Sequence, residues 1–208
     1  VFCDQGFFSV AEAREIITAA QRLGLKARLH ADELAAVGAA ELAAEVGAVS
    51  ADHLERISPA GIAAMAARGV IAGLLPGTAF NLGLDAYPPA RALIDAGVPV
   101  ALATDFNPGT CFTPNMQLVI AVACSQMRMT PAEALVAATI NGAYALELGH
   151  DRGSLEPGKR ADLAIMDCAN YRQIPYLFGV NHCVETFVQG RPVRELTFFG
   201  DRPQPAET

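Results

Sequence analysis

Arg28-Leu29-His30-Ala31-Asp32-Glu33 closes an apolar run that starts at Leu25 and reads as a β-strand. Two later stretches have the same form. One runs from Ala48 into Ser50-Ala51-Asp52-His53, and the other from Val98 through Thr104 into Asp105-Phe106-Asn107. Each puts His, Glu or Asp where a strand passes into a loop. In a parallel barrel that rim is where chemistry is assembled. Two imidazoles and several carboxylates converging there point to a divalent metal and a water to activate.

Around these stretches strand and helix signals alternate. Val1-Phe2-Cys3 reads as the end of a strand. Ser9-Val10-Ala11-Glu12 is a capping box that opens a helix stopping at Gly24. Val37 to Val46 is Ala-rich and helical, and Ser58-Pro59 starts a helix that closes at Gly69. Val70 to Leu75 is a strand ended by Pro76-Gly77, and Pro88 to Ala96 is a helix. Such alternation means parallel βαβ units, here about five. A closed barrel of this kind takes eight. An open doubly wound sheet would instead carry a Gly-rich phosphate loop after its first strand, where only Gly6 stands.

The pattern changes after Asp105. Asn115 to Met127 is a helix, and Thr130-Pro131-Ala132-Glu133 is a second capping box, read as opening one long helix to about Leu148. Turn residues then lead into a short apolar strand ending at Ile165, and Val184 to Gln189 with Pro192-Val193 forms a hairpin around Gly190-Arg191. The expected division is 1–148 for the βα units, 149–199 for a small β element, and 200–208 for a polar, Pro-rich tail.

Composition narrows the class. The 208 residues are 52% hydrophobic and 18% charged, with a net charge of -7, so one sizeable buried core is expected. No Lys/Arg cluster stands out, which argues against nucleic acid and membrane partners and for a small polar substrate. The five cysteines form no C-x-x-C pair, which fits a reducing, cytoplasmic setting rather than a disulfide framework. Gly61 to Phe80, the most apolar window, is interrupted by Arg68, glycines and Pro76, so it reads as helix then strand rather than a membrane span. The start of the sequence has no basic, apolar leader. It begins at Val1 inside a strand-like run, as a fragment or trimmed chain would.

His30 is the leading candidate ligand, although a lone strand-end His is often structural. Glu33 strengthens it, because His-x-x-Glu across a turn sets a ligand and a proton-handling carboxylate over one pocket. Asp32 reads as a turn cap. His53 is a candidate general base beside an activated water. Asp105 follows so apolar a strand that its charge needs a partner or a metal. Asn107, Gly109 and Thr110 offer amide, backbone N–H and hydroxyl for fixing a polar ring, though the same residues would also make a plain Asn-Pro-Gly turn. His150 and His182 lie outside the strand-end pattern and are read as structural.

These strand-end residues, with Gly153-Ser154-Leu155-Glu156-Pro157-Gly158-Lys159-Arg160-Ala161-Asp162-Leu163, resemble the metal-dependent amidohydrolase superfamily. Arg28–Glu33, Leu74-Leu75-Pro76-Gly77, Ala103-Thr104-Asp105-Phe106-Asn107-Pro108-Gly109 and Pro175-Tyr176-Leu177-Phe178-Gly179-Val180-Asn181 are similar, more narrowly, to the imidazolonepropionase family. The resemblance implies the later part of a deformed (β/α)8 barrel of the TIM type beside strands of a small β-sandwich. It implies hydrolysis of the cyclic amide of 4-imidazolone-5-propanoate to N-formimidoyl-L-glutamate in histidine degradation, with one zinc or iron ion per subunit of a homodimer. Carried over by position, His30 and Asp105 are metal ligands. Glu33 and His53 are catalytic, and Glu33, Asn107, Gly109 and Thr110 bind substrate. The family draws two further ligands from a His-x-His that this sequence lacks, so the 208 residues read as its C-terminal half, expected to hold metal poorly and to be inactive alone. The alternatives are a cytosine- or guanine-type deaminase, which also uses His-x-x-Glu after a strand, and a non-catalytic fragment. The loop after Asp105 favours the imidazolone reading over the deaminase.

Overall fold

The computed structural model describes residues 1–193. The expected tail at 200–208, and the end of the expected β element, lie outside the described residues. In chain order the elements are β1 (Phe2–Cys3), α1 (Val10–Arg22), β2 (Arg28–Ala31), α2 (Ala39–Glu45), β3 (Ser50–His53), α3 (Pro59–Arg68), β4 (Ile71–Leu74), α4 (Pro76–Leu82), α5 (Ala90–Asp95), β5 (Val100–Leu102), α6 (Met116–Gln126), α7 (Pro131–Ala138), α8 (Ile140–Ala145), β6 (Leu163–Met166), α9 (Gln173–Tyr176), β7 (Cys183–Val188) and β8 (Arg191–Pro192). β1 to β5 form one sheet in sequence order with every pair parallel. β6 to β8 form a separate three-stranded antiparallel sheet.

The residues of the parallel sheet alternate in chemistry. Leu29, Ala31, Ala51, Ala72, Leu74, Val100 and Leu102 are buried in the core with the helices. The register sets Phe2 beside His30, His30 beside Asp52 and Asp52 beside Gly73, so the opposite face carries polar and small residues. Gly73 is required there, because a Cβ would collide with the Asp52 carboxylate. Alanine does similar work between helices. Ala39, Ala40, Ala43 and Ala44 of α2 are buried, and at Gly61 of α3 a side chain would press on Ala40 and Ile57 at 3.0 Å.

Local chemistry sets the helix ends. Both capping boxes form, at Ser9–Glu12 and Thr130–Glu133, and Ser58 caps α3 with Pro59 in its first turn. α2 starts without a capping side chain on its own N-cap, Gly38. The Asp32 carboxylate supplies the cap from the end of β2, accepting from the N–H groups of Val37, Gly38, Ala39 and Ala40 at 2.9 to 3.2 Å.

Two expectations are corrected. Pro76-Gly77 does not simply end a strand: Pro76 opens the short helix α4, which stops at Gly83 in the left-handed region. The long helix from Thr130 breaks at Thr139, whose φ is -121° and ψ -93°. There the Thr139 hydroxyl donates to the Leu135 carbonyl at 2.6 Å, while Asn141 donates to the Val100 carbonyl at 2.8 Å and turns α8 onto β5.

Replacing Asp32 by Ala would leave the N–H groups of Gly38, Ala39 and Ala40 without their acceptor, Val37 keeping the Ala35 carbonyl at 2.9 Å. We expect a loss of at least about 2 kcal/mol, larger than the roughly 1 kcal/mol of removing the exposed Ser9 cap. Urea unfolding of Asp32→Ala and Ser9→Ala measures both. An Asp32→Ala midpoint equal to wild type would remove the cap from this account.

Candidate active site

The side chains of chemical interest lie past the C-terminal ends of the parallel strands. His30 is the next-to-last residue of β2, and His53 ends the neighbouring β3 in register with Ala31. Glu33 follows in the β2–α2 loop. The two imidazole rings lie 4.1 Å apart between centroids. Glu33 joins them: its Oε2 is 3.1 Å from His30 Nε2 and its Oε1 is 3.7 Å from His53 Nδ1. One ligand atom from each of His30, Glu33 and His53 lies within 4.8 Å of the others, a spacing that could hold a metal ion. Both of those nitrogens are buried and have no hydrogen-bond partner.

Asp105 is on the same rim, beyond β5, with φ 51°. It lies outside the tight trio, and its charge is felt at His53. The buried Thr78 hydroxyl of α4 donates to Asp105 Oδ2 at 2.6 Å. The structure closes the next loop on itself. Asn107 Oδ1 accepts from the N–H groups of Gly109 and Thr110 at 2.9 and 2.8 Å, and Asn107 Nδ2 donates to the Asp105 carbonyl at 2.7 Å. The Asn107 amide thus fixes the loop shape, and Gly109 stays exposed. His150, on the surface, and the buried His182 are both absent from the trio.

Two residues of the rim escape the pattern of strand-end motifs. Asp4, just after β1, is buried. Its carboxylate accepts from the N–H groups of Glu33, Leu34 and Ala35 at 2.7, 3.0 and 3.1 Å, with Oδ2 3.8 Å from His30 Nε2. Val1-Phe2-Cys3-Asp4 carried the same signal as the other strand ends, a carboxylate after an apolar run. Glu55 is also buried, with Oε2 4.0 Å from His53 Nδ1. Sequence gives Glu55 no such signal, because the turn that buries it is not a helix or strand.

The titration states divide. The His30 imidazole beside it holds the Glu33 carboxyl below its usual range. Burial, then the neighbouring His30, pushes His53 down, so it is neutral at pH 7. Burial pushes Glu55 up to about 8. Carboxylates of one rim therefore carry different charges at neutral pH, the separation that lets one accept a proton while another stays neutral.

An amidohydrolase family model matches residues 2–194. A curated imidazolonepropionase of Geobacillus thermodenitrificans is 59% identical over 190 residues, which are 91% of this chain and 44% of that protein. The chain thus spans somewhat less than half the length of that relative. Among solved structures, an adenosine deaminase from Xanthomonas campestris with bound zinc superposes with a TM-score of 0.71 at 25% identity, covering 88% of this chain and 48% of that one. A 5-methylcytosine deaminase from Klebsiella pneumoniae gives 0.75 at 21% identity over 93% and 54%, a likeness of fold. Among the described residues no helix is long and apolar enough to cross a membrane.

Glu55 gives a pH signature. Its carboxyl titrates near 8 in the fold against 4.5 when exposed, so its contribution to stability is complete below pH 4.5 and is lost as pH rises toward 8. The decline amounts to at most about 5 kcal/mol. Glu55→Gln should flatten it, as read from unfolding free energies between pH 5 and pH 8. An unchanged slope would mean that Glu55 is ionised in the fold.

Proposed function

Because this chain belongs to the amidohydrolase family, we propose that it carries the later βα units and part of the catalytic rim of an imidazolonepropionase. The substrate is 4-imidazolone-5-propanoate and the product N-formimidoyl-L-glutamate, a step of histidine degradation. One observation carries the choice: the sequence is far closer to a protein of that name than to the deaminases that share its fold. In this reading the parallel sheet is a section of a deformed (β/α)8 barrel, residues 1–148, and β6 to β8 belong to a small β-sandwich within 149–199. The protein is a cytoplasmic homodimer.

The residues fit a metal. His30 Nε2 is a buried nitrogen that makes no hydrogen bond, with carboxylate oxygens of Glu33 and Asp4 at 3.1 and 3.8 Å. Imidazole with carboxylate suits zinc and iron alike. His30 and Asp105 would hold the ion, with further ligands from the rest of the site. When bound, it supplies Lewis-acid polarisation of the ring carbonyl and acidifies water.

This chain's own residues manage the protons. Water adds at the carbonyl carbon and gives up a proton, and as the C–N bond breaks the departing ring nitrogen takes one up. The group that accepts the first can return it as the second. Glu33 is ionised and reaches both imidazoles, and His53 is neutral, so either begins as an acceptor. Asn107, Gly109 and Thr110 contact the substrate by exchanging loop bonds for substrate bonds, and Glu33 contacts its ring N–H.

In a protein of the relatives' full length carrying this sequence, Asp105→Ala should lower metal content and activity together. Glu33→Gln should keep the metal and cut turnover roughly a hundredfold or more. Metal analysis and an ultraviolet assay of ring opening read both. Deamination of cytosine or guanine without ring opening would replace this reading with the deaminase, and loss of metal in Glu33→Gln would make Glu33 a ligand.

A further inference from the structure

Backbone strain is concentrated below His53. His53 has φ 79° and Leu54 φ 73°, and among the described residues they are the adjacent pair of non-glycine residues in the left-handed region. Histidine enters this region more readily than most residues, but leucine does not, and the strain falls on Leu54. The turn is pinned to the end of β2, with Leu54 N–H donating to the Ala31 carbonyl at 3.0 Å and Arg56 N–H to the Asp32 carbonyl at 2.8 Å. Its effect is to send the next side chain inward. The Glu55 side chain is 2% exposed, while Arg56 is on the surface.

A strained turn that buries a carboxyl calls for a reason, since the same Glu one residue later would be solvated. Among the described residues six buried side-chain polar atoms lack a partner, and His53 Nδ1 and Glu55 Oε2 are two of them. They face each other at 4.0 Å. That is too long for a hydrogen bond, but unliganded sites often hold their working hydrogen bonds long and close them on binding.

We propose that Glu55 is a positioning residue whose carboxyl oxygen accepts the Nδ1–H of His53, fixing the tautomer that leaves the Nε2 lone pair free. This deepens the reading above and rests on His53 handling a proton there. Four other groups act on the imidazole. The His30 ring is on one side, and Asp4 and Asp105 act on it only through their charge. Glu33 Oε1 is at 3.7 Å, but Glu33 is shared with His30 and changes its proton during the reaction, so it cannot hold the ring throughout. Glu55 can. Its side chain is 2% exposed, and a carboxyl oxygen there accepts the Nδ1–H whether or not the group is ionised.

The test is the ring-nitrogen spectrum of His53 in the metal-free chain, labelled with nitrogen-15 at histidine and assigned by its loss in His53→Asn. Wild type should show one tautomer, Nδ1 protonated and Nε2 not, as two well-separated frequencies. In Glu55→Leu the frequencies should draw together as the tautomers mix. Glu55→Gln, whose amide oxygen can accept the same proton, should restore the separation. Glu55→Asp keeps the carboxyl but loses its reach, so it should behave like Leu, and it decides the matter if the Leu variant fails to fold. Unchanged His150 and His182 signals report an intact fold. A wild-type spectrum in both Leu and Asp, or a wild type protonated at Nε2, would overturn the proposal. Neither result bears on ring opening, which is measured without these variants, so the two readings fail separately.

Discussion

Two buried carboxylates hold the rim in place, and the geometry of the site follows from them. Asp32 accepts four backbone N–H groups at the start of α2, and Asp4 accepts three from the loop that carries Glu33. A loop between strand and helix has more N–H groups than local partners. Buried, those groups need acceptors. By supplying them from neighbouring strand ends, β1 and β2, the chain fixes the segment Ala31 to Ala40 in one conformation. Glu33 then reaches His30 and His53 from a rigid backbone, and its placement does not depend on side-chain packing alone.

The same rim concentrates backbone strain. Among the described residues seven non-glycine residues have positive φ, and four of them, Asp32, His53, Leu54 and Asp105, follow the ends of β2, β3 and β5. A strand running straight would put His53 on the face of Ala51, with the core. The left-handed step turns its imidazole against His30 instead. Each such conformation costs on the order of 1–3 kcal/mol, which the hydrogen bonds and apolar packing around it must offset. The parallel sheet supplies part of that packing through Leu29, Leu74 and Leu102, all buried.

How much of this was legible in the sequence depended on the range of the interaction. Capping boxes span three residues, and both form where Ser9 and Thr130 indicated. Apolar strand runs are equally local: four of the five parallel strands fall within the segments read from them, and β2 passes the segment Leu25 to His30 by one residue, Ala31. Asp32 was legible as a turn cap, though not the extent of its reach, eight residues to Ala40. Asp4 carried the strand-end signal, but its partners lie 29 to 31 positions away, and Glu55 acquires its place from a strained turn that neighbouring residues do not announce. The break at Thr139 was hidden for a related reason. It depends on a bond from Asn141 to a strand 41 residues earlier, against a local sequence of good helix formers.

The contrast between Glu33 and Glu55 shows why motif and spacing alone under-determine a mechanism. Both are glutamates just beyond neighbouring strand ends, and both face the same nitrogen of His53, at 3.7 and 4.0 Å. Their environments push them apart. Glu33 lies beside the His30 imidazole, which favours its charge, and burial does not overcome that. Glu55 is more deeply buried and close to the other carboxylates, and burial raises it to about 8. If both were ionised, two negative charges would compete for one imidazole and raise its proton affinity, removing the neutral base. If both were neutral, no carboxylate would face that imidazole. The asymmetry comes from the backbone: Asp4 holds the Glu33 loop open toward His30, and the left-handed turn after His53 drives Glu55 into the protein. The division of labour on this rim is thus set by conformation before any side chain reacts.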